Sequence, residues 1–126
     1  IDVCKIPESD RDLLGVLEEG KRAGQCRARL EFVRSSPQMG VTSAFTFGVE
    51  FGRLRMALIA ARIPFEVMTP PKWQVGLGLP TTNKAGGQTA KKRAHKVRAQ
   101  QLFPDTKITH ATADALLIAE SLGRAA

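Results

Sequence analysis

Asp114 stands in the middle of an aliphatic run, ITHATADALLIAESLG from Ile108 to Gly123, with His110 four residues before it. The run reads as a helix: Thr109 is placed to cap it, Ala and Leu fill its interior, and Gly123 supplies the stop. On a 3.6-residue period Asp114 shares a face with His110 one turn before and with Leu117 and Ile118 one turn after. A carboxylate among aliphatic neighbours loses hydration, so it must find a partner, take up a proton or bind a metal. The plainer reading is a first-turn acid favoured by the positive end of the helix dipole.

A second acid, Glu31, closes an alternating segment. From Arg27 to Val33, Arg27, Arg29 and Glu31 fall on one side, and Ala28, Leu30 and Phe32 on the other, the pattern of a strand. Glu31 is then either an edge-strand carboxylate paired with Arg29 or an acid at the strand's C-terminal end, where open α/β sheets assemble their sites.

The third chemical feature is a charge run. Thr89 to Leu102 reads as a helix carrying Lys91, Lys92, Arg93, Lys96 and Arg98, with Ala90, Ala94, Val97 and Gln101 tracing one face. A run of cations is usually a solvated face, but this one has almost no compensating acid. Like charges one turn apart destabilise a helix, so a phosphate backbone explains the run better than solubility does. Lys72 and Lys84 join these five as candidate DNA contacts.

The whole composition agrees with a polyanionic partner. The chain has 126 residues, 43% hydrophobic and 25% charged, the make-up of one globular domain with a single core. Its formal charge of +7 favours nucleic acid or an anionic membrane surface. No apolar run approaches a membrane span and no signal-peptide pattern opens the chain, which leaves nucleic acid ahead. Cys4 and Cys26 lack metal-ligand spacing and read as small buried hydrophobes in a reducing compartment.

The remaining segments must position these groups. Ile1 to Ile6 reads as a short strand closed by Pro7. Ser9 and Asp12 resemble a capping box opening a helix to about Glu19, ended by Gly20. After a loop at Ser35 to Gly40, Thr42 or Ser43 caps the longest helix, which runs to about Arg62. Its Gly48 and Gly52 each cost about 1 kcal/mol against Ala, which predicts close approach of another backbone. Phe45, Phe51 and Leu58 fill the core or a subunit interface. Phe65 to Met68 reads as a short buried strand, Lys72 to Gln74 as a helical turn after two prolines, and Gly76 to Gly87 as a mobile loop. Trp73 is a packing anchor or lies beside DNA. The order of elements is α/β.

Taken together, these residues resemble the RuvC-like Holliday-junction resolvases, and within them the small phage-type enzymes. The matching pieces are Leu30 to Val33, Pro37 to Gly40, Ser43 to Gly48, Ile63 to Phe65, Thr69 to Gln74, Gln100 to Pro104 and Thr109 to Glu120, in the family's order over nearly the whole chain. The resemblance implies a ribonuclease H-like fold, a mixed sheet with flanking helices. It further implies an Mg²⁺-dependent endonuclease, with Mn²⁺ as a possible substitute, that resolves four-way junctions and other branched DNA in recombination and repair. Family members work as homodimers, with the long helix in the dimer contact, in the cytoplasm of a bacterium or phage-infected cell. Glu31 matches the family's acid at the end of the fourth strand, and Asp114 the acid in the final helix. His110 falls near a second metal position, so the resemblance gives all three a metal-binding, catalytic role. Hard ions of this kind suit carboxylate and phosphate oxygens, not thiols.

The family pattern also begins with a glycine-flanked strand carrying an Asp, followed by a second strand. Ile1 to Ile6 matches the third strand, so residues 1–126 are expected to form one nuclease domain lacking its first two strands, inactive in that form. Two other classes fit the same residues. One is a catalytically inert branched-DNA-binding module of the same fold. The other is a basic structural protein of a nucleoprotein particle, in which Glu31 and Asp114 are only solvated acids.

Overall fold

A computed structural model of the chain describes residues 3–32, 36–79 and 87–124. Among the described residues it holds five helices and one two-stranded parallel sheet, an α/β arrangement. Two compact units divide it, Lys5–Met68 on one hand and Thr69–Ala126 with Ile1–Cys4 on the other. No helix among the described residues is long and apolar enough to cross a membrane.

The first unit contains α1 (Asp10–Arg22), β1 (Ala28–Glu31), α2 (Val41–Ala60) and β2 (Phe65–Met68). Ser9 caps α1 as its sequence predicts, its hydroxyl accepting the Asp12 N–H at 3.0 Å. The helix runs past Gly20, the expected stop, to Arg22, and Gly24 takes the left-handed turn at φ 151° instead. Lys21 explains the extra turn. It complements the helix dipole, and its ammonium also donates to the carbonyls of Ala61 at 3.0 Å and Arg62 at 3.1 Å, which end α2.

The end of α2 is a two-bond stop motif. The Ile63 N–H reaches back to the Leu58 carbonyl and the Arg62 N–H to that of Ile59, both at 3.0 Å. This wrap needs a left-handed residue, and Arg62 adopts φ 56° without being glycine. The apolar contact that goes with the motif joins Leu58 and Ile63, which with Ala61 form the unit's buried cluster. Leu14, Leu17, Cys26, Ala28 and Phe65 pack against it. The return from α2 then lays β2 beside β1 in parallel, Ala28 opposite Phe65 through Glu31 opposite Met68. A parallel pair needs such a crossover, and α2 provides it.

Several expectations change. Val3 to Ile6 forms no strand, because a strand exists only through a ladder, and these residues join none among those described. The start of α2 is Gly40, with no side-chain cap. Thr42 and Ser43 lie inside the first turn, where Thr46 Oγ1 donates to the Thr42 carbonyl at 3.0 Å. β2 is present at its expected residues but is not buried, since Glu66 and Val67 are exposed. Cys4 is exposed; Cys26 alone is partly buried. Gly48 and Gly52 meet no atom within 4 Å of an added Cβ, so among the described residues no other backbone approaches them. Phe51 packs edge-on against Phe32 at 5.2 Å, Leu58 is buried, and Phe45 is 73% exposed.

The second unit holds α3 (Pro70–Gly76), α4 (Gly87–Leu102) and α5 (His110–Arg124). Pro70 and Pro71 start α3, where missing N–H groups cost nothing. Thr109 and Thr112 cap α5 reciprocally. The Thr109 N–H donates to Thr112 Oγ1 at 3.1 Å, and the Thr112 N–H to Thr109 Oγ1 at 3.3 Å. The helix continues through Gly123 to Arg124. Buried Trp73, Leu77, Ala99, Ile108, Ala113, Leu116 and Leu117 form this unit's core. The inward face of α4 carries His95 and Ala99, whereas Ala90, Val97 and Gln101 of the expected face are exposed. The loop expected from Gly76 to Gly87 lies largely outside the described residues; its described start turns at Gly78, φ 71°.

Leu117→Ala should therefore lower stability by about 2–5 kcal/mol, the usual result of opening a cavity in a closed core. Val97→Ala should change it by no more than about 0.5 kcal/mol, as an exposed substitution does. Urea unfolding measures both, and a large loss for Val97→Ala would put the expected face of α4 inward after all.

Candidate metal and nucleic-acid site

Asp114 is not a first-turn acid, because the first turn of α5 contains none. It lies beyond the reach of the helix N-terminus, where dipole stabilisation has faded. Its partner comes from the neighbouring helix: His95 Nδ1 stands 2.9 Å from Asp114 Oδ1. An ionised carboxylate can only accept, so Nδ1 carries the proton and donates. The pair is unequal in exposure, the His95 side chain 5% exposed and that of Asp114 49%. One acid oxygen is thus engaged, and the carboxylate still reaches solvent.

The imidazole is held from a second side. Trp73 of α3 lies with its ring centre 5.6 Å from that of His95, tilted by 60°. Trp73 itself is 1% exposed, which decides its role as a packing anchor rather than a residue lying beside DNA. His95 Nε2 and Gln74 Oε1 are both buried with no hydrogen-bond partner among the described residues. His110, the first residue of α5, is exposed one turn before Asp114.

In the other unit, Glu31 is the last residue of β1, opposite Met68, so it does stand at the C-terminal end of a parallel ladder. The Phe32 N–H continues the ladder by one bond to the Met68 carbonyl at 2.8 Å. Arg29 meets a carboxylate across the ladder: its guanidinium engages Glu66, its direct register partner, with Nε 2.9 Å from Oε1. Glu31 is partly buried there.

The expected phosphate contacts separate by exposure. Lys92 and Arg93 on α4 and Lys72 on α3 are exposed, whereas Lys91, Lys96 and Arg98 are partly buried. Lys84 lies outside the described residues. From Gly87 to Leu102 the helix carries no acid, so its positive potential is uncompensated along its own length.

Among the described residues no three of His, Cys, Asp and Glu form a group that could hold a metal. The donor chemistry at Asp114 nonetheless suits a hard divalent ion. Mg²⁺ characteristically takes one or two carboxylates, keeps several waters and completes its shell with substrate phosphate. A half-exposed carboxylate with one oxygen already fixed fits that habit, whereas an exposed imidazole such as His110 is a poorer donor for so hard an ion.

His95 is the residue that sequence reasoning missed. A signal for it existed: His95, Ala99 and Leu102 recur at helical spacing, and the stems of Lys91 and Arg98 flank them. An imidazole within a cationic run is easily counted among the polar residues, and only a carboxylate on a facing helix makes it an inward one.

No protein-family model matches the chain, and no curated protein matches it.

Proposed function

We propose that this protein is a metal-dependent endonuclease for branched DNA, with the ribonuclease H-like fold and the junction-resolving activity of the RuvC-like enzymes its sequence resembles. The observation that carries this reading is the pairing of α4 and α5. Within one unit, a cationic helix without acids packs against a helix presenting a half-exposed, hydrogen-bonded carboxylate. Cations that hold a phosphate backbone and a carboxylate that accepts a hard cation are the two parts phosphodiester hydrolysis needs. Bound Mg²⁺ or Mn²⁺ would supply charge stabilisation for the displaced oxygen and lower the pKa of an attacking water. Asp114 would hold the ion in this unit. Glu31 takes the second acidic role that the resemblance gives it, and His110 a lesser one. Lys92 and Arg93 would track phosphates without reading sequence. The working compartment is the cytoplasm of a bacterium or phage-infected cell.

A homodimer belongs to the same proposal. Val41, Phe45, Val49, Met56 and Ile59 of α2 are exposed and recur at helical spacing, and Gly48 and Gly52 open the same face. A long apolar stripe with small residues at its centre suits close helix approach and is self-complementary across a two-fold axis. Phe45→Glu should shift the protein from dimer to monomer in sedimentation velocity. An unchanged sedimentation coefficient would remove this stripe from the contact.

Two measurements test the nuclease itself, both made on a form that also carries the Asp-bearing first strand and the second strand of the family pattern. Asp114→Asn and Glu31→Gln should each abolish Mg²⁺-dependent cutting of a four-way junction and leave junction binding largely intact, with His110→Ala milder. Continued nicking by either acid variant would strike that acid from the chemistry. Binding without any nicking by the unsubstituted protein would leave an inert DNA-binding module instead.

The cations should act separately from the acids. Replacing Lys92 and Arg93 together by Ala should weaken binding and reduce the slope of log affinity against log salt by roughly two. An unchanged slope would take this face of α4 out of the DNA contact.

A further inference from the structure

We propose that His95 is a positioning residue for Asp114, fixing one carboxylate oxygen so that the other is presented in a set direction to a divalent cation. The inference rests on the metal-dependent reading above. It begins from a mismatch in burial: the acid is half-exposed, while the base that holds it is almost fully enclosed. A carboxylate at such a position would otherwise turn about its side-chain bonds, losing orientation each time it rehydrates. The donor holding it cannot turn. His95 is 4% exposed on α4, and its ring lies against Trp73, itself 1% exposed. Orientation therefore passes from a packed indole to a packed imidazole and from there to a carboxylate, through contacts between α3, α4 and α5.

The chemistry of the ring points the same way. Nδ1 donates to Asp114 Oδ1 at 2.9 Å, while Nε2 is buried with no partner among the described residues. A residue serving only to fill this space would better be an aromatic hydrocarbon, which has no nitrogen to desolvate. What His95 adds over Phe is a single charge-assisted bond to an acid that reaches solvent. Ligating carboxylates are commonly held by such outer partners, whose loss typically weakens metal affinity by 10–100-fold. Mg²⁺ is demanding here because it requires near-octahedral geometry. Asp114 Oδ2 has no partner among the described residues, which leaves it as the oxygen offered.

The test is Mn²⁺ binding to the intact protein, followed by electron paramagnetic resonance of the free ion, for wild type, Asp114→Asn, His95→Phe, His95→Asn and His95→Gln. Asp114→Asn should weaken Mn²⁺ binding strongly. His95→Phe should weaken it 10–100-fold with no fall in thermal stability. His95→Asn, whose amide nitrogen falls near the Nδ1 position, should recover most of the affinity. His95→Gln, whose amide nitrogen falls near Nε2, should not, and this comparison stands even if the Phe variant fails to fold. In the metal-free protein, long-range ¹H–¹⁵N correlations should show His95 protonated at Nδ1, with that proton signal shifting in Asp114→Ala. Mn²⁺ affinity equal to wild type in both His95→Phe and His95→Gln, while Asp114→Asn is impaired, would overturn the positioning role alone. Wild-type affinity in Asp114→Asn would overturn the metal-dependent reading and this inference with it.

Discussion

His95 is buried on α4, and its ring N–H must meet an acceptor, which in this protein is the Asp114 carboxylate of α5. Much of the second unit follows from it. To bring His95 toward α5, α4 must turn the face at residues 95 and 99 inward, which leaves Arg93 and Val97 outward. The face that looks apolar by composition is thereby exposed, and a polar ring takes the buried place. Packing supports this choice because Ala99 is small enough to let the helices close, and Trp73 covers the imidazole. A buried polar group is tolerated where its partner is good. Nδ1 meets that condition, and Nε2 has no partner among the described residues.

The first unit is organised by a different constraint, the satisfaction of backbone carbonyls at a helix end. Lys21 of α1 supplies protons to the Ala61 and Arg62 carbonyls at the end of α2, and the reversed bonds from Arg62 and Ile63 supply those of Ile59 and Leu58. That tight stop turns the chain at once into β2, beside β1 and parallel to it. The same geometry puts Glu31 at the C-terminal end of its strand, the end at which α/β sheets collect functional groups. Leu58 and Ile63 close the cluster beneath, so the stop motif and the core are one structure.

Local chemistry was legible in the residues wherever a few neighbours settle the outcome. Ser9 capping α1, Thr109 capping α5, a helical turn at Lys72 to Gln74, and the span of β2 all follow from short-range bonding that any context would preserve, although α3 already begins at Pro70. Asp114 was legible as a group needing a partner, because the aliphatic run around it has no donor to offer. What could not be read locally were terminations and faces. Gly20 is a plausible stop by propensity, yet Lys21 has tertiary acceptors that extend the helix through it. Thr42 and Ser43 are good caps, but the chain turns into α2 two residues before the first of them, at Gly40.

By itself, then, the sequence determined the α/β class, the presence of the helices, the caps at Ser9 and Thr109, the cationic character of α4 and the isolation of Asp114 among aliphatic residues. Each depends on periodicity, composition or bonding within one turn of the chain. Only tertiary structure decided that the partner is His95, 19 residues away along the chain, that Trp73 is enclosed, and that Val97, Phe45 and Val67 face outward. The reason is physical. Which face of a helix turns inward depends on the surface opposite it, and a hydrogen bond between helices can outweigh one-sided hydrophobicity when a buried donor would otherwise be stranded.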